Sequence, residues 1–311
     1  MVMIADPVRS RKSSISDPLF QVRPLSSVLG VEIVGFDAAG PVPDAAITAL
    51  RTLLDTHGVL LFRDQHLEPD AQIAFSRRFG PLQEVAQKQY QMPNKPFIYM
   101  IGNLTDGEGR QLADPSVGRI WHSDQSFLPH PALGSLLLGV ECPEEGAETL
   151  FASMYSAYDA LSEELKQRIA NLHAVHSFSE YYEALRGRDP TQPPLTDARR
   201  ELYPDVVHPL VRRNPRTGRR ALYINPGYAI GLVEMPGEDG MNLLEHLCDH
   251  ARDERFVYAH HWRPGDLLFW DNLGVNHKGT PFDTDRYVRR MHRCTVAGDA
   301  ASYQASLLPQ F

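Results

Sequence analysis

Cysteine is scarce in this chain. The three present, Cys142, Cys248 and Cys294, are odd in number and far apart, with no Cys-x-x-Cys spacing. That argues against a disulfide framework or a thiolate zinc site and fits a reducing cytoplasm. Positive charge is also short. Lys and Arg total 31 against 39 Asp and Glu, a formal net charge of -8, and basic residues form no block beyond short pairs such as Arg212-Arg213 and Arg219-Arg220. An electrostatic grip on nucleic acid is therefore not expected. Long apolar runs are missing too: none approaches the roughly 18 residues that cross a bilayer, so no membrane partner is expected. Residues 1–18 carry Arg9, Arg11 and Lys12 among serines and prolines. They lack the apolar core of a signal peptide and read as a flexible leader.

What is present is an ordinary globular composition, 42% hydrophobic and 23% charged, punctuated by 24 prolines and 22 glycines, which suits a loop-rich protein acting on small molecules. Residues 21–36 alternate and are β-branched, so they read as a strand or hairpin. Pro43-Asp44 opens a helical pattern that Gly58 closes, the apolar run Val59 to Phe62 follows as a buried strand, and Pro69 to Phe79 reads as a second helix. From 119 onward short strands dominate: 119–121, 133–142, 149–154, 220–225, 256–262, 266–270 and 291–296. Helices are expected at about 155–172 and 241–251, with a mobile, proline-rich loop near 186–200. No internal repeat is evident. Many short strands with flanking helices point to a mostly β fold, a barrel or two-sheet jelly roll.

The stretch WHSDQSF from Trp121 places an imidazole and a carboxylate two residues apart. On a strand, side chains at i and i+2 share a face, so His122 and Asp124 would meet at one point. Alone, a His-x-Asp pair is as readily a satisfied polar pair as a metal site. A third ligand is available in His277, beyond the apolar run 267–270 and a turn. Two imidazoles and a carboxylate on one face of an octahedron leave three open positions, the arrangement of non-haem Fe(II) oxygenases; zinc can use the same trio.

Four stretches carry a family resemblance: FRDQHLEPDAQIAFSRRFGPL from Phe62, WHSDQSF from Trp121, GAETLFASMYSAYDALS from Gly146, and WRPGDLLFWDN followed by His277 and RRMHRCTVAGD from Arg289. Together they resemble the iron(II)- and 2-oxoglutarate-dependent dioxygenases of the taurine dioxygenase and 2,4-dichlorophenoxyacetate dioxygenase family. The resemblance implies a double-stranded β-helix (cupin-like jelly roll) in one domain over 19–311, with Fe(II) as cofactor and 2-oxoglutarate and O2 as co-substrates. It makes His122, Asp124 and His277 the iron ligands and catalytic centre, gives Thr149 and Arg289 the distal carboxylate of 2-oxoglutarate, and puts Arg293 where the family often anchors an anionic substrate. The backbone N–H of Gln125 is a second expected substrate contact, and assembly as a homodimer or homotetramer is implied.

Elementary chemistry supports the arginines. On a strand from 289 to 295, Arg289, Met291 and Arg293 share one face, and guanidiniums facing a lumen without carboxylates of their own expect anionic ligands. Alternatives are a β-branched strand role for Thr149 and a salt bridge from Arg293 to Asp271 or Asp266. His260-His261 point to opposite faces and do not share an ion. His173 and His176 read as structural neighbours near a helix end, and Trp121 and Trp270 as walls that keep the site dry.

The implied reaction is hydroxylation of an aliphatic C–H of a small anionic substrate, coupled to decarboxylation of 2-oxoglutarate to succinate and CO2. An aryloxyalkanoate, an alkyl sulfate ester or a secondary-metabolite acid fits. Taurine-specific relatives have a histidine soon after Phe-Gly-x-Leu and an amide four residues before the first ligand; here the sequence reads FGPLQEVAQKQYQMP and Gly118. Both departures point away from taurine or another alkylsulfonate. A zinc hydrolase would have no use for Thr149 and Arg289, and a non-catalytic jelly-roll module no need of all three ligands.

Overall fold

The computed structural model describes residues 15–17, 19–116, 118–188 and 193–308. Most of the expected leader, residues 1–14 and 18, lies outside the described residues; Ile15–Asp17 is a strand paired antiparallel with Phe20–Pro24.

An eight-stranded sheet forms the backbone of the fold, in the order Ile15–Asp17, Phe20–Pro24, Val31–Val34, Val59–Phe62, Leu267–Asp271, Gly134–Glu141, Arg290–Val296 and Tyr99–Gly102. Its pairings are antiparallel except that of Val31–Val34 with Val59–Phe62. The run VLLF sits near the middle of this sheet, which explains its unbroken hydrophobicity: both faces are covered. Leu60 and Phe62 pack with Leu50, Leu54 and Phe75 of the two N-terminal helices, Asp44–His57 and Pro69–Arg77, and with Phe79 just beyond the second. Val59 and Leu61 pack the other way, with Leu268, Trp270, Phe151 and Val275.

Phe151 and Val275 belong to a second sheet of three strands, Val257–His260, Thr149–Ser153 and Val275–Gly279. The apolar core between the two sheets is what aims the second sheet's inward residues at the first. The helix Asp44–His57 ends where expected: Gly58 adopts φ +75° and returns its N–H to the carbonyl of Leu54 at 2.7 Å. Among the described residues no helix is long and apolar enough to cross a membrane.

Several expectations are corrected. The helix expected at 155–172 is two, Met154–Asp159 and Glu163–Ile169, because Ser162 turns extended and its hydroxyl accepts the N–H of Leu165, starting a new helix. His173–His176 is a strand, between Ala229–Leu232 and Val206–Pro209. The mobile loop near 186–200 is largely helical: Phe178–Arg188 enters it and Asp197–Leu202, capped by Thr196, leaves it. Residues 189–192 of that loop lie outside the described residues.

The turn joining the two sheets is tightly packed. A Cβ at Gly274 would fall inside the van der Waals radius of the Tyr155 ring, which is 2% exposed and donates its hydroxyl to Asp271 Oδ2 at 2.8 Å. Gly274→Ala is expected to lower stability by about 1–3 kcal/mol through overpacking; an unchanged urea midpoint would contradict this packing.

Candidate metal centre

A strand, an isolated bridge residue and a turn converge on one point. His277 lies in Val275–Gly279 of the small sheet, and His122 pairs with it as an isolated antiparallel bridge, each N–H donating to the other's carbonyl at 3.0 and 2.7 Å. The two rings end 4.1 Å apart. Residues 119–121 do not form the expected strand, and Asp124 is not placed by strand alternation: it begins a turn whose next residue, Gln125, has φ +59°. The polar side chains of WHSDQSF cause this. Ser123 Oγ donates to the carbonyl of Asn272 at 2.6 Å, and Asn225 Nδ2 donates to the Ser123 carbonyl at 2.9 Å and to Ser126 Oγ at 2.7 Å, so the segment is pinned to its neighbours as a loop.

His122, Asp124 and His277 are buried, and one ligand atom from each lies within 4.8 Å of the other two. His122 Nε2 is 3.8 Å from Asp124 Oδ1 and His277 Nε2 is 3.9 Å from Oδ2. These separations are too long for hydrogen bonds and leave room for one ion. His122 Nδ1 donates to the carbonyl of Ile120 at 2.8 Å, leaving Nε2 as a lone pair turned toward Asp124. Burial lowers both imidazoles; Asp124 opposes this at His122, while His122 adds to it at His277. Burial alone would raise the Asp124 carboxyl, but Arg293 and the two imidazoles hold it well below the usual carboxylate range. Neutral imidazoles with an ionised carboxylate are the form that binds a divalent ion. Two nitrogens and one oxygen suit iron(II), so the residues fit the implied metal.

Arg293 sits in a place the sequence did not show. Its Nη1 donates to Asp124 Oδ1 at 3.0 Å, with Ser135 Oγ on Oδ2 at 2.6 Å, and its guanidinium lies 5.0 Å over the Tyr99 ring. The alternative bridges do not form: Asp266 pairs with Arg63 and His260, and Asp271 accepts from Tyr155. Arg293 Nε is buried without a partner. Arg289, just before Arg290–Val296, makes no ion pair among the described residues; its Nε is likewise buried and unpartnered, and burial pushes the guanidinium down to about 10. Thr149 Oγ1 accepts the indole N–H of Trp262 at 2.9 Å. Trp262 packs in the inter-sheet core with the half-buried Cys142 against it.

A cavity of about 260 Å³ opens onto two of the three, His122 and Asp124, with Gln125 and Arg293 also on its lining. The segment after Pro81, from Gln83 to Tyr90, contributes much of one wall. Phe127, Phe178, Tyr182 and Tyr228 supply an aromatic opposite wall. Sequence reasoning missed this wall, although Phe178, Tyr181, Tyr182 and Leu185 carry the i, i+3, i+4, i+7 signal of one helix face. Trp270 does flank the site, its ring 4.7 Å from that of His277. Trp121 packs instead against the helical core around Met154 and Leu222. His260 is buried on Asp266 while His261 is exposed near Glu148, as their opposite faces require.

The chain matches the family model described as taurine catabolism dioxygenase TauD, TfdA family, over residues 21–295. It belongs to that family. Pentalenolactone F synthase of Streptomyces avermitilis is 34% identical over 278 residues, 85% of this chain and 90% of that protein. The alpha-ketoglutarate-dependent 2,4-dichlorophenoxyacetate dioxygenase of Cupriavidus pinatubonensis is 33% identical over 287 residues, 89% of this chain and 97% of its own. The solved structure of AAD-2 in complex with Mn(II) and N-oxalylglycine is similar at a TM-score of 0.74 and 31% identity, covering 89% of this chain and 97% of that one. The TauD/TfdA chain studied here is accordingly an oxidoreductase of the iron(II)- and 2-oxoglutarate-dependent class.

Behind the metal loop of this family member lies a second pair of histidines. His176 Nδ1 meets Ser126 Oγ at 3.0 Å, and His208 donates from Nε2 to the Ser126 carbonyl at 2.8 Å while its Nδ1 accepts from the Tyr303 hydroxyl at 2.8 Å. Burial pushes His176 down to about 3 and His208 down to about 4. Unfolded, both would titrate near 6.5. A depressed folded value means the stability these neutral rings confer is present above about pH 6.5 and is lost as pH falls toward 4, on the order of 2 kcal/mol per histidine between pH 7 and 5. Denaturant unfolding across that range should show the loss, with a shallower slope in His208→Gln; an unchanged slope in both His208→Gln and His176→Gln would contradict it.

Proposed function

We propose that the protein hydroxylates an aliphatic C–H bond of a small organic acid, with His122, Asp124 and His277 holding Fe(II) and Thr149 and Arg289 holding the distal carboxylate of 2-oxoglutarate. The observation that carries this reading is the convergence of three buried ligand atoms, two of them from residues lining an aromatic-walled cavity. When bound, iron(II) supplies the redox chemistry that couples decarboxylation of 2-oxoglutarate by O2 to C–H hydroxylation, with succinate, CO2 and an alcohol as products. The chain's own residues do the rest. Arg289 is a half-buried cation with no carboxylate paired to it among the described residues, and its planar fork would give a dicarboxylate two parallel charge-assisted bonds, with the Thr149 hydroxyl as a further donor.

Arg293 has two tasks in this reading. Nη1 fixes the Asp124 carboxylate, and the remaining edge, with its unpartnered Nε, meets the substrate anion at the cavity lining; the N–H of Gln125 is the second contact. Phe127, Phe178 and Tyr228 take up the apolar body of the substrate and exclude water from the reacting carbon. Such walls suit an aryloxyalkanoate, like the substrate in the name of the Cupriavidus relative, or a secondary-metabolite acid. The Gln83–Tyr90 wall offers amides, a carboxylate and a phenol but no imidazole, which disfavours an alkylsulfonate. A zinc hydrolase would leave Arg289 without a task.

The two facing sheets are read as the double-stranded β-helix, the jelly roll, of a single domain that begins near residue 19. Assembly into a homodimer or homotetramer and a place in the reducing cytoplasm complete the proposal; the three unpaired thiols support the latter.

Asp124→Ala should abolish 2-oxoglutarate-dependent succinate formation and leave the purified protein without stoichiometric iron. Normal iron and full turnover would remove Asp124 from the ligand set. Arg289→Ala should raise the half-saturating 2-oxoglutarate concentration by about tenfold or more, the weight of a hydrogen bond to a charged group, with the organic acid's requirement unchanged. If the organic acid's requirement moves instead, Arg289 and Arg293 exchange roles.

A further inference from the structure

A second cavity, of about 450 Å³, lies behind the Asp271-Asn272-Leu273 turn, away from the aromatic-walled cavity. Its polar lining is dominated by arginine: Arg51, Arg212 and Arg216 face two carboxylates, Asp55 and Asp271. One of these pairings is closed. Arg216 grips Asp55 through Nε and Nη2, and Asn214 donates to the same carboxylate at 3.0 Å. Asp271 closes no ion pair with an arginine among the described residues, although the charge of Arg216 reaches it; it accepts from Tyr155 and from the N–H of Leu273 at 2.9 Å, and burial pushes it up to about 6.

Arg212 and Arg51 are left over. Arg212 is 6% exposed, and its side-chain hydrogen bonds among the described residues go to a neutral hydroxyl, Ser306 Oγ, at 3.0 and 2.5 Å. It stacks 4.4 Å over Tyr223 and 4.6 Å over Tyr303. Arg51 donates to the carbonyl of Arg78 at 2.8 Å and rests 5.5 Å over Phe79. Burial, then the charge of Arg216, lowers it, and Asp55 opposes them only in part, the mark of positive potential in this cavity. The Tyr223 hydroxyl, on a side chain 3% exposed, lines the same space with the Arg212 guanidinium beside it and, among the described residues, no acceptor for its own proton. A buried cation without a counter-charge and a buried hydroxyl without an acceptor are both unfavourable unless something completes them.

We propose that this cavity is a binding site for a small oxyanion, a carboxylate or a tetrahedral sulfate or phosphate, held by Arg212, Arg51 and the Tyr223 hydroxyl. Asn272 lines the cavity and at the same time braces the metal loop, since its carbonyl accepts from Ser123 and its side chain reaches Ser135 and the Asp124 N–H at 3.4 Å. The anion therefore binds one residue away from the iron ligands without touching them. Nothing in the oxygenase reaction requires it, so its failure would leave the proposed iron site standing.

Selenate provides a direct test. Anaerobic crystals of the Fe(II)-loaded full chain, grown free of oxyanions and soaked in selenate, should show an anomalous selenium peak within hydrogen-bonding distance of Arg212 and the Tyr223 hydroxyl. Selenium found at Arg289 or Arg293 alone, or nowhere, would overturn the proposal. In solution, calorimetric titration with sulfate should weaken about tenfold in Arg51→Met and in Tyr223→Phe; both substitutions keep the packing volume, so folding is preserved. Equal affinity in wild type and both variants would overturn it. A parallel titration with acetate at equal ionic strength separates the sources: tighter acetate names a carboxylate, tighter sulfate a tetrahedral anion, and binding of neither refutes the site.

Discussion

The Asp124 carboxylate is buried at 5% exposure, and a carboxylate in that position stays ionised only when positive charge or a metal stands beside it. Here Arg293 and two imidazoles stand beside it, and Ser135 fills the remaining oxygen. Each neighbour is held in turn. Ser135 and Arg293 lie on adjacent strands of the large sheet, His122 and His277 are locked to each other by a backbone bridge, and Asn272 ties the loop that carries Asp124 to the turn between sheets. Much of the architecture near the site answers the demand of keeping one negative charge dry and available.

This explains why the site sits between the sheets. The apolar core shared by Trp270, Phe151, Val275 and Met291 provides the low dielectric that keeps both imidazoles neutral. It also raises the penalty for any buried cation without an anion, which is why Arg289 reads as a waiting receptor. Arg293 pairs one nitrogen with Asp124 and also lines the cavity. A substrate anion there would be sensed through the same guanidinium that orients Asp124.

Much of this was legible in the sequence. Both N-terminal helices and the strands around Val59–Phe62, Gly134–Glu141, Leu267–Asp271 and Arg290–Val296 follow from hydrophobic period and end signals, because Gly58, Pro69 and the VLLF run act locally, whereas Tyr99–Gly102 and Val275–Gly279 did not show. The ligand trio was identifiable by residue type and by resemblance, yet the reason given for His122 and Asp124 sharing a point was mistaken: a bridge residue and a turn bring them together, through bonds to Asn225 and Asn272 that lie far along the chain. Long-range partners are what local pattern does not carry. The Arg293–Asp124 pair, the Ser126–His208–Tyr303 chain and the arginines behind the Asp271 turn are all of this kind. The aromatic wall from Phe178 onward was within reach, but the prolines that follow it drew the region toward a loop.

The central claim is that the three buried ligands hold iron(II) with positions left for 2-oxoglutarate. The direct measurement is an anaerobic titration of the Fe(II)-loaded protein with 2-oxoglutarate, followed by visible absorbance. A saturable charge-transfer band that is absent in His277→Ala is the expected result. Bound metal with no such band at saturating 2-oxoglutarate would contradict an oxygenase centre at His122, Asp124 and His277.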